Sequence, residues 1–343
     1  MRAMAIVDYA EPLRPLEADE PFVPPGHALV EVLTCGVCAT DLKIVGGQMP
    51  FSADLSLPHV PGHEIFGHVV RTEPPGLVET GTAAVVYQYG PCGRCRSCLR
   101  GDEVLCLNIR AWTGFVDPGG FQERVVAAVD RLVEVPASVA AADAAPLTCA
   151  IGTAYRAAVT RGRTRFGDTV LVLGLGGVGI HAAQFAVAAG ATVIGTDPHG
   201  PTRERAHELG ITAIAPDDDL ADEILARIAD GVDLAIDTVA SDDTIALAVD
   251  VVRRGGRIVE IGHAASSNVR IATQRLVLDE IALVGSRYAR RDEMARAVAA
   301  VAAGTIRPVV GMTRPLARVN EVLDALRRGD VVGRAVIDVA GVT

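Results

Sequence analysis

Residues 170–184, VLVLGLGGVGIHAAQ, constrain the fold more than any other stretch of the chain. A short apolar run breaks at Gly174, Gly176, Gly177, Val178 and Gly179, and a helical pattern follows. The three spaced glycines form G-x-G-x-x-G, placed after a strand and opening a helix, which is the context that gives this pattern meaning. The first glycine permits the tight turn, the second lets backbone approach a pyrophosphate, and the third lets helix pack on strand. The helix start then offers free N–H groups and a favourable dipole to a diphosphate. A glycine-rich turn with no ligand is the plain alternative.

The same texture continues on both sides. TVLVLG, ATVIGTD, VDLAIDTV, GRIVEIG and IALVGS read as short strands, separated by helical stretches such as TRERAHELG and DDTIALAVDVVRR. Strands alternating with helices of that length indicate βαβ units on a parallel sheet, here over residues 151–287. Eighteen residues beyond Gly179, ATVIGTD ends in Asp197. A carboxylate there accepts from both ribose hydroxyls of NAD and repels a 2′-phosphate, so NAD is expected before NADP. Two readings compete with this: Asp197 as a helix cap, and Arg203 or Arg205 as a partner for NADP.

Residues 1–150 differ in kind. HALVEVLTCGV, HEIFGHVVRT, TAAVVYQYG and FQERVVAAVDRLVEV are Val-rich alternating runs bounded by Gly and Pro, the mark of an irregular β domain. Residues 288–343 carry two amphipathic helices, RDEMARAVAAVAAG and RVNEVLDALRRGD, and a last strand, RAVIDVA. A chain of 343 residues has room for two such domains, each with its own core. Half the residues are hydrophobic, which excludes a disordered chain, yet charges, Gly or Pro interrupt every apolar run before it could span a bilayer. The start, MRAMAIVDYAEPLRP, lacks an apolar core for a signal peptide, so a cytoplasmic protein is expected. A net charge of −10 speaks against a nucleic-acid surface.

Seven cysteines, an odd number, make a disulfide framework improbable and point to metal. Cys92, Cys95, Cys98 and Cys106 form C-x2-C-x2-C-x7-C in a Gly-punctuated loop, GPCGRCRSCLRGDEVLC. Four thiolates so spaced can converge on one tetrahedral zinc. An iron–sulfur cluster is the rival, although neither common ferredoxin spacing is present. No open position remains in the array, so it reads as structural.

A second set is scattered. CGVCATD holds Cys38, Thr40 and Asp41, PGHEIFG holds His63 and Glu64, and APLTCAIGTAY holds Cys149. Singly, each is ordinary core chemistry. Together Cys38, His63 and Cys149 make a Cys/His/Cys set that leaves zinc a fourth, open position. Cys35 is left over as a spare thiol.

These motifs in this order resemble the zinc-dependent medium-chain alcohol dehydrogenase family over essentially the whole chain. The resemblance implies a GroES-like β domain, formed by both termini, with a Rossmann doubly wound parallel sheet between them. It implies two zinc ions per chain, the second cysteine of CGVC (Cys38) being a ligand of the catalytic one with His63 and Cys149. Glu64 is then the acid beside the metal, Asp41 the carboxylate that orients His63, and Thr153 and Arg334 contacts to the cofactor, Arg334 with its diphosphate. The activity implied is hydride transfer between a primary or secondary alcohol and NAD, Thr40 taking the alcohol proton. Homodimers or homotetramers are the implied assemblies.

Two departures from the family pattern matter. Ala39 stands where members often carry a His or Arg that touches the diphosphate. Lys43 stands where several carry the histidine that ends a proton relay, and it is the only lysine among 32 Lys and Arg. Lys can shed its proton where Arg cannot, so Lys43 is a candidate for the solvent end of the relay; a solvated surface lysine is the alternative. The pocket should draw on GGQMPFSADLSLPH and RAWTGFVDPGG, making Met49, Phe51, Leu57, Trp112 and Phe115 candidate substrate contacts, with core or subunit packing as the other use. Trp112 would suit an apolar or aromatic alcohol. Rival functions are a double-bond reductase on the same scaffold, a non-catalytic cofactor-binding protein, and a zinc-ribbon nucleic-acid module, the last disfavoured by the charge.

Overall fold

A computed structural model of the chain describes residues 1–217, 219–263 and 267–343. It divides into two compact units. The second, Ala150–Ala289 with Thr305–Val309, is built on six strands in the order Thr212–Ile214, Thr192–Thr196, Thr169–Leu173, Val232–Asp237, Val252–Glu260 and Ala282–Gly285. Every neighbouring pair is parallel. Val170 to Leu173 are fully buried, as expected of a continuous apolar run in a sheet covered on both faces by helices. Leu171, Leu173, Ile194, Ile224, Val251 and Ile258 share one core. Helix Gly179–Ala188 follows the glycine turn, and helix Asp242–Val251 starts from a capping box in which Ser241 and Thr244 satisfy each other's backbone N–H. The strand order reverses between Thr169–Leu173 and Val232–Asp237, the switch point at which such sheets bind ligands.

The first unit comprises Met1–Cys149, Arg290–Gly304 and Val310–Thr343. Its organising strand, His27–Val37, lies antiparallel to Glu64–Glu73, Arg124–Ala128 and Arg334–Asp338. Ala83–Val86 and Leu132–Glu134 extend the sheet on one side, and Val310–Pro315 pairs in parallel with Arg334–Asp338 on the other. The last strand of the chain therefore sits beside the first long one, with Ala335, Val336 and Ile337 opposite Val37, Gly36 and Cys35 of the CGVC segment.

Within 288–343, Thr305–Val309 pack with the second unit. The cause is polar. Gln184 uses both amide atoms on the backbone of Arg307, and His181 Nε2 accepts from Val309 N at 3.0 Å. Among the described residues no helix is long and apolar enough to cross a membrane.

Candidate metal and dinucleotide sites

Strand His27–Val37 ends where helix Ala39–Val45 begins, and Cys38 is the cap between them. Its Sγ accepts from Thr40 N (3.2 Å), while Asp41 Oδ2 accepts from Cys38 N (2.8 Å), a reciprocal cap that fixes the thiol's direction. The other Asp41 oxygen faces His63 Nδ1 at 3.2 Å, so Nδ1 carries the proton and Nε2 is left towards Cys38 Sγ, 3.3 Å away. Thr148 Oγ1 donates to His63 O at 3.4 Å, tying the Cys149 segment to the same strand end. The donor atoms of Cys38, His63, Glu64 and Cys149 all lie within 4.8 Å of one another, and all four side chains are buried.

Burial of so many ionisable groups is costly without a cation. The hydrogen bond from Cys149 holds Cys38 well below the usual thiol range, with His63 and Arg334 adding to it, and the same bond pushes Cys149 well up. Cys38 is thus the thiolate of the pair. Burial opposes charging of His63, yet Asp41 and Cys38 together outweigh it and pull the imidazole up; burial likewise raises Asp41. Glu64 is pushed up to about 7 by burial even though Arg334 Nη2 lies 2.8 Å from its Oε1. Neither Glu64 oxygen is engaged in a hydrogen bond. Two sulfurs and one ring nitrogen at this spacing, with the ion-paired Glu64 carboxylate beside them, fit a zinc ion with an open or exchangeable position.

The quartet fits a closed site. Cys95 Sγ lies 3.4 Å from Cys98 and 3.9 Å from Cys106, and Cys92 is 4.0 Å from Cys98. Sulfurs about 2.3 Å from a tetrahedral zinc stand about 3.8 Å apart. Backbone N–H groups already favour thiolates here: that of Cys98 brings Cys95 down to about 6, whereas Cys98 itself, burdened by desolvation and by Cys95, rises to about 12. Ionising all four together calls for a metal.

In the second unit, Gly174 adopts φ +82, and a Cβ at Gly179 would lie 1.8 Å from Gly174 O. Those two positions admit glycine alone. Asp197 stands just past the strand Thr192–Thr196, where its carboxylate accepts from Leu175 N and His199 N, both at 2.9 Å. It braces the glycine turn against the neighbouring strand. Arg203 Nη1 reaches the carbonyls of Asp197 and Pro198, both at 2.8 Å. Thr153 lies buried in helix Ala150–Tyr155.

Residues 24–137 match the family profile described as "Alcohol dehydrogenase GroES-like domain", and residues 177–303 that of "Zinc-binding dehydrogenase". An alcohol dehydrogenase of Geobacillus stearothermophilus is 31% identical over 343 residues, spanning 99% of this chain and 100% of the relative. The chain belongs to the zinc-dependent medium-chain alcohol dehydrogenase family. Solved relatives agree with that fold. The alcohol dehydrogenase of the archaeon Aeropyrum pernix superposes with a TM-score of 0.91 at 28% identity, covering 99% of this chain and 100% of that one. The acetophenone reductase of Geotrichum candidum, solved with NAD, gives 0.85 at 28%, covering 98% and 97%. The protein is thus an oxidoreductase of the zinc alcohol dehydrogenase type.

In this dehydrogenase the five candidate substrate residues separate. Phe115, fully buried, lies 4.7 Å from the His63 ring, centre to centre. Trp112 stacks on Phe115 at 4.4 Å, and Phe51 meets both edge-on. Leu57 is exposed, and Met49 is tied by its backbone N to Ser52. Thr40 and Lys43 share helix Ala39–Val45, both half-buried. Sequence reasoning passed over Gly36. A Cβ there would lie 2.1 Å from Glu64 Oε2, so this glycine makes the space in which the Glu64 carboxylate sits. The signal lay in CGVC, in the glycine between its two cysteines. Gly62 and Gly114 were also missed: Gly62 has φ +98, and a Cβ at Gly114 would meet Gly62 O at 2.4 Å, so the 112–117 loop rests directly on the segment bearing His63.

Proposed function

We propose that the protein is an NAD-dependent alcohol dehydrogenase with two zinc ions per chain, one structural at Cys92, Cys95, Cys98 and Cys106, the other catalytic at Cys38, His63 and Cys149. The observation carrying this reading is the buried convergence of those last three donors with Glu64. When bound, the catalytic zinc would supply a Lewis acid for an alcohol or carbonyl oxygen, and the nicotinamide a hydride acceptor or donor. Asp41 keeps His63 in the tautomer a metal requires and holds Cys38 at the helix start. Arg334 retains its charge because Glu64, Cys38 and Cys149 more than offset its burial; in this reading it is the cation for the diphosphate, with Ala39 contributing none. Thr40 takes the hydroxyl proton, and Lys43, three residues on along the same helix, passes it to solvent.

The glycine turn Gly174 to Gly179, with Gly177 and Val178 within it, accommodates the diphosphate, and Thr153 belongs to the same binding region. Asp197 accepts from the ribose hydroxyls, which favours NAD over NADP. Assembly into dimers or tetramers and a cytoplasmic setting complete the reading. The edge strand Ala282–Gly285 has a strand neighbour on one side only among the described residues, with Val277 and Leu278 exposed close by, which supports association through sheet edges.

The test is a panel of primary and secondary alcohols with NAD and NADP, run beside a saturated aldehyde and its α,β-unsaturated partner with NADH. NAD-linked oxidation and saturated-aldehyde reduction are expected. Reduction confined to the conjugated double bond would favour the double-bond reductase instead.

A further inference from the structure

Residues 161–165 read RGRTR, in a chain whose net charge is −10. Helix Ala150–Tyr155 runs on as a π-helical segment, Arg156–Arg161, whose end packs on the parallel sheet. A Cβ at Gly162 would lie 2.7 Å from Leu234 Cδ2. Leu234 is the register partner of Arg257 on the next strand, so both side chains leave the same face of the sheet. Arg161 Nε donates to Gly285 O, 3.0 Å away on the strand beyond. Arg163 takes φ +58, a left-handed position more often given to glycine. Thr164 holds it there, its N and Oγ1 donating to Ala158 O at 3.1 and 2.7 Å. A helix end and a strand thus bring three guanidinium groups to one patch of the second unit.

These groups lack the counter-charge that their neighbours have. Arg253 and Arg254, on the same strand as Arg257, pair with Asp233 at 2.6 Å and Asp279 at 2.9 Å. Among the described residues, Arg161, Arg163 and Arg257 form no ion pair. Burial pushes the Arg257 guanidinium down from its usual range; repulsion from Arg163 and Arg161 adds to that, and no carboxylate opposes it. A helix C-terminus welcomes cations, which accounts for Arg161 and Arg163. It does not account for Arg257, half-buried on a strand where a neutral side chain would cost less.

We propose that Arg161, Arg163 and Arg257 form a binding site for a phosphate group, either the free ion or the monoester of a small molecule. The site is separate from the glycine turn: Arg257 and Gly285 belong to the second and third strands beyond the one that carries Gly174. It does not depend on the catalytic reading. Each guanidinium offers paired N–H donors that match two oxygens of a phosphate. Arg161 spends Nε on Gly285 O and keeps both terminal nitrogens. A dianion cancels most of the repulsion that Arg257 bears, whereas a carboxylate brings a single charge to three.

The test is calorimetric titration of inorganic phosphate, and of methyl phosphate as the ester, into the zinc-loaded protein with and without NAD, chloride holding the ionic strength constant. One phosphate per chain is expected, with a melting midpoint that rises as phosphate replaces chloride. Arg257→Gln and Arg163→Gln should each weaken binding about tenfold, the worth of one charge-assisted hydrogen bond, and remove the rise in midpoint. Arg165→Gln takes an equal charge from the same loop and should leave both unchanged. Arg257→Gln should also melt above wild type in chloride, because it relieves the repulsion; if it does not fold, Arg163→Gln, at an exposed position, carries the comparison. Tighter binding of methyl phosphate would assign the site to an ester, and the reverse order to the free ion. Phosphate that fails to saturate, or that binds wild type and every variant alike, would overturn the proposal. So would binding that NAD displaces and Arg257→Gln spares, which belongs to the glycine turn.

Discussion

Asp41 shows how much one side chain can carry. One oxygen closes the helix cap on Cys38 and the other fixes the His63 tautomer, so local folding and ligand geometry are the same event. Gly36 does the converse by having no side chain. For Gly36→Ala we expect displacement of Glu64 and a loss of about 1–3 kcal/mol in denaturant unfolding, the usual cost of overpacking. An unchanged midpoint would mean that Glu64 has room elsewhere. The relay gives a second prediction. Thr40→Val should lower kcat by two to four orders of magnitude, the typical worth of a positioned proton acceptor. Lys43→Met should shift the acidic limb of the pH–rate profile for alcohol oxidation, and an unmoved limb would remove Lys43 from the path. At this scale the sequence announced the donor atoms but not the empty space around them. Cysteines and histidines advertise chemistry by type, whereas the purpose of Gly36, Gly62 and Gly114 is visible only once their neighbours are in place.

Elements were legible where pattern is strong. The run HALVEVLTCGV is a strand from His27 to Val37, and the glycine fingerprint opens a helix at Gly179. Less legible were the strand Val310–Pro315, whose residues carry no clear alternation, and the detour Thr305–Val309, which is bonded by two side chains, His181 and Gln184, more than a hundred residues away. Strand ends in the second unit also hold a polar feature that periodicity does not show. Glu260 and Asp237 are register partners at the ends of adjacent strands, and both Glu260 oxygens and Asp237 Oδ2 are buried without hydrogen bonds. Burial, with Asp237 adding to it, pushes Glu260 up to about 7 from a usual 4.5. Between those values the folded chain keeps a proton that the unfolded chain releases. The stability this confers is therefore full below about 4.5 and is lost as pH rises through about 7. Glu260→Gln should unfold at higher denaturant than wild type at pH 8, with the gap closing towards pH 5. A gap that is constant across that range would show that Glu260 does not titrate there.

Across the whole molecule, the order of motifs identified the family more surely than any single motif did. A CGVC strand end, a PGHE segment, a cysteine quartet and a G-x-G-x-x-G strand turn are each ambiguous alone; the family profiles match residues 24–137, which hold the first three, and 177–303, which begin within the fourth. What the order cannot convey is which distant residues touch. Cys38, His63 and Cys149 span more than a hundred residues of sequence, and the antiparallel pairing of His27–Val37 with Glu64–Glu73 and the Thr148 bond to His63 help to bring them together. The central claim is that this convergence holds a second, catalytic zinc distinct from the quartet's. Metal content measured per chain on purified wild type and on His63→Ala, alongside NAD-linked alcohol oxidation, addresses it directly. Two zinc ions falling to one, with turnover lost and the fold kept, is the predicted result; a variant that still holds two zinc ions, or still turns over, would contradict it.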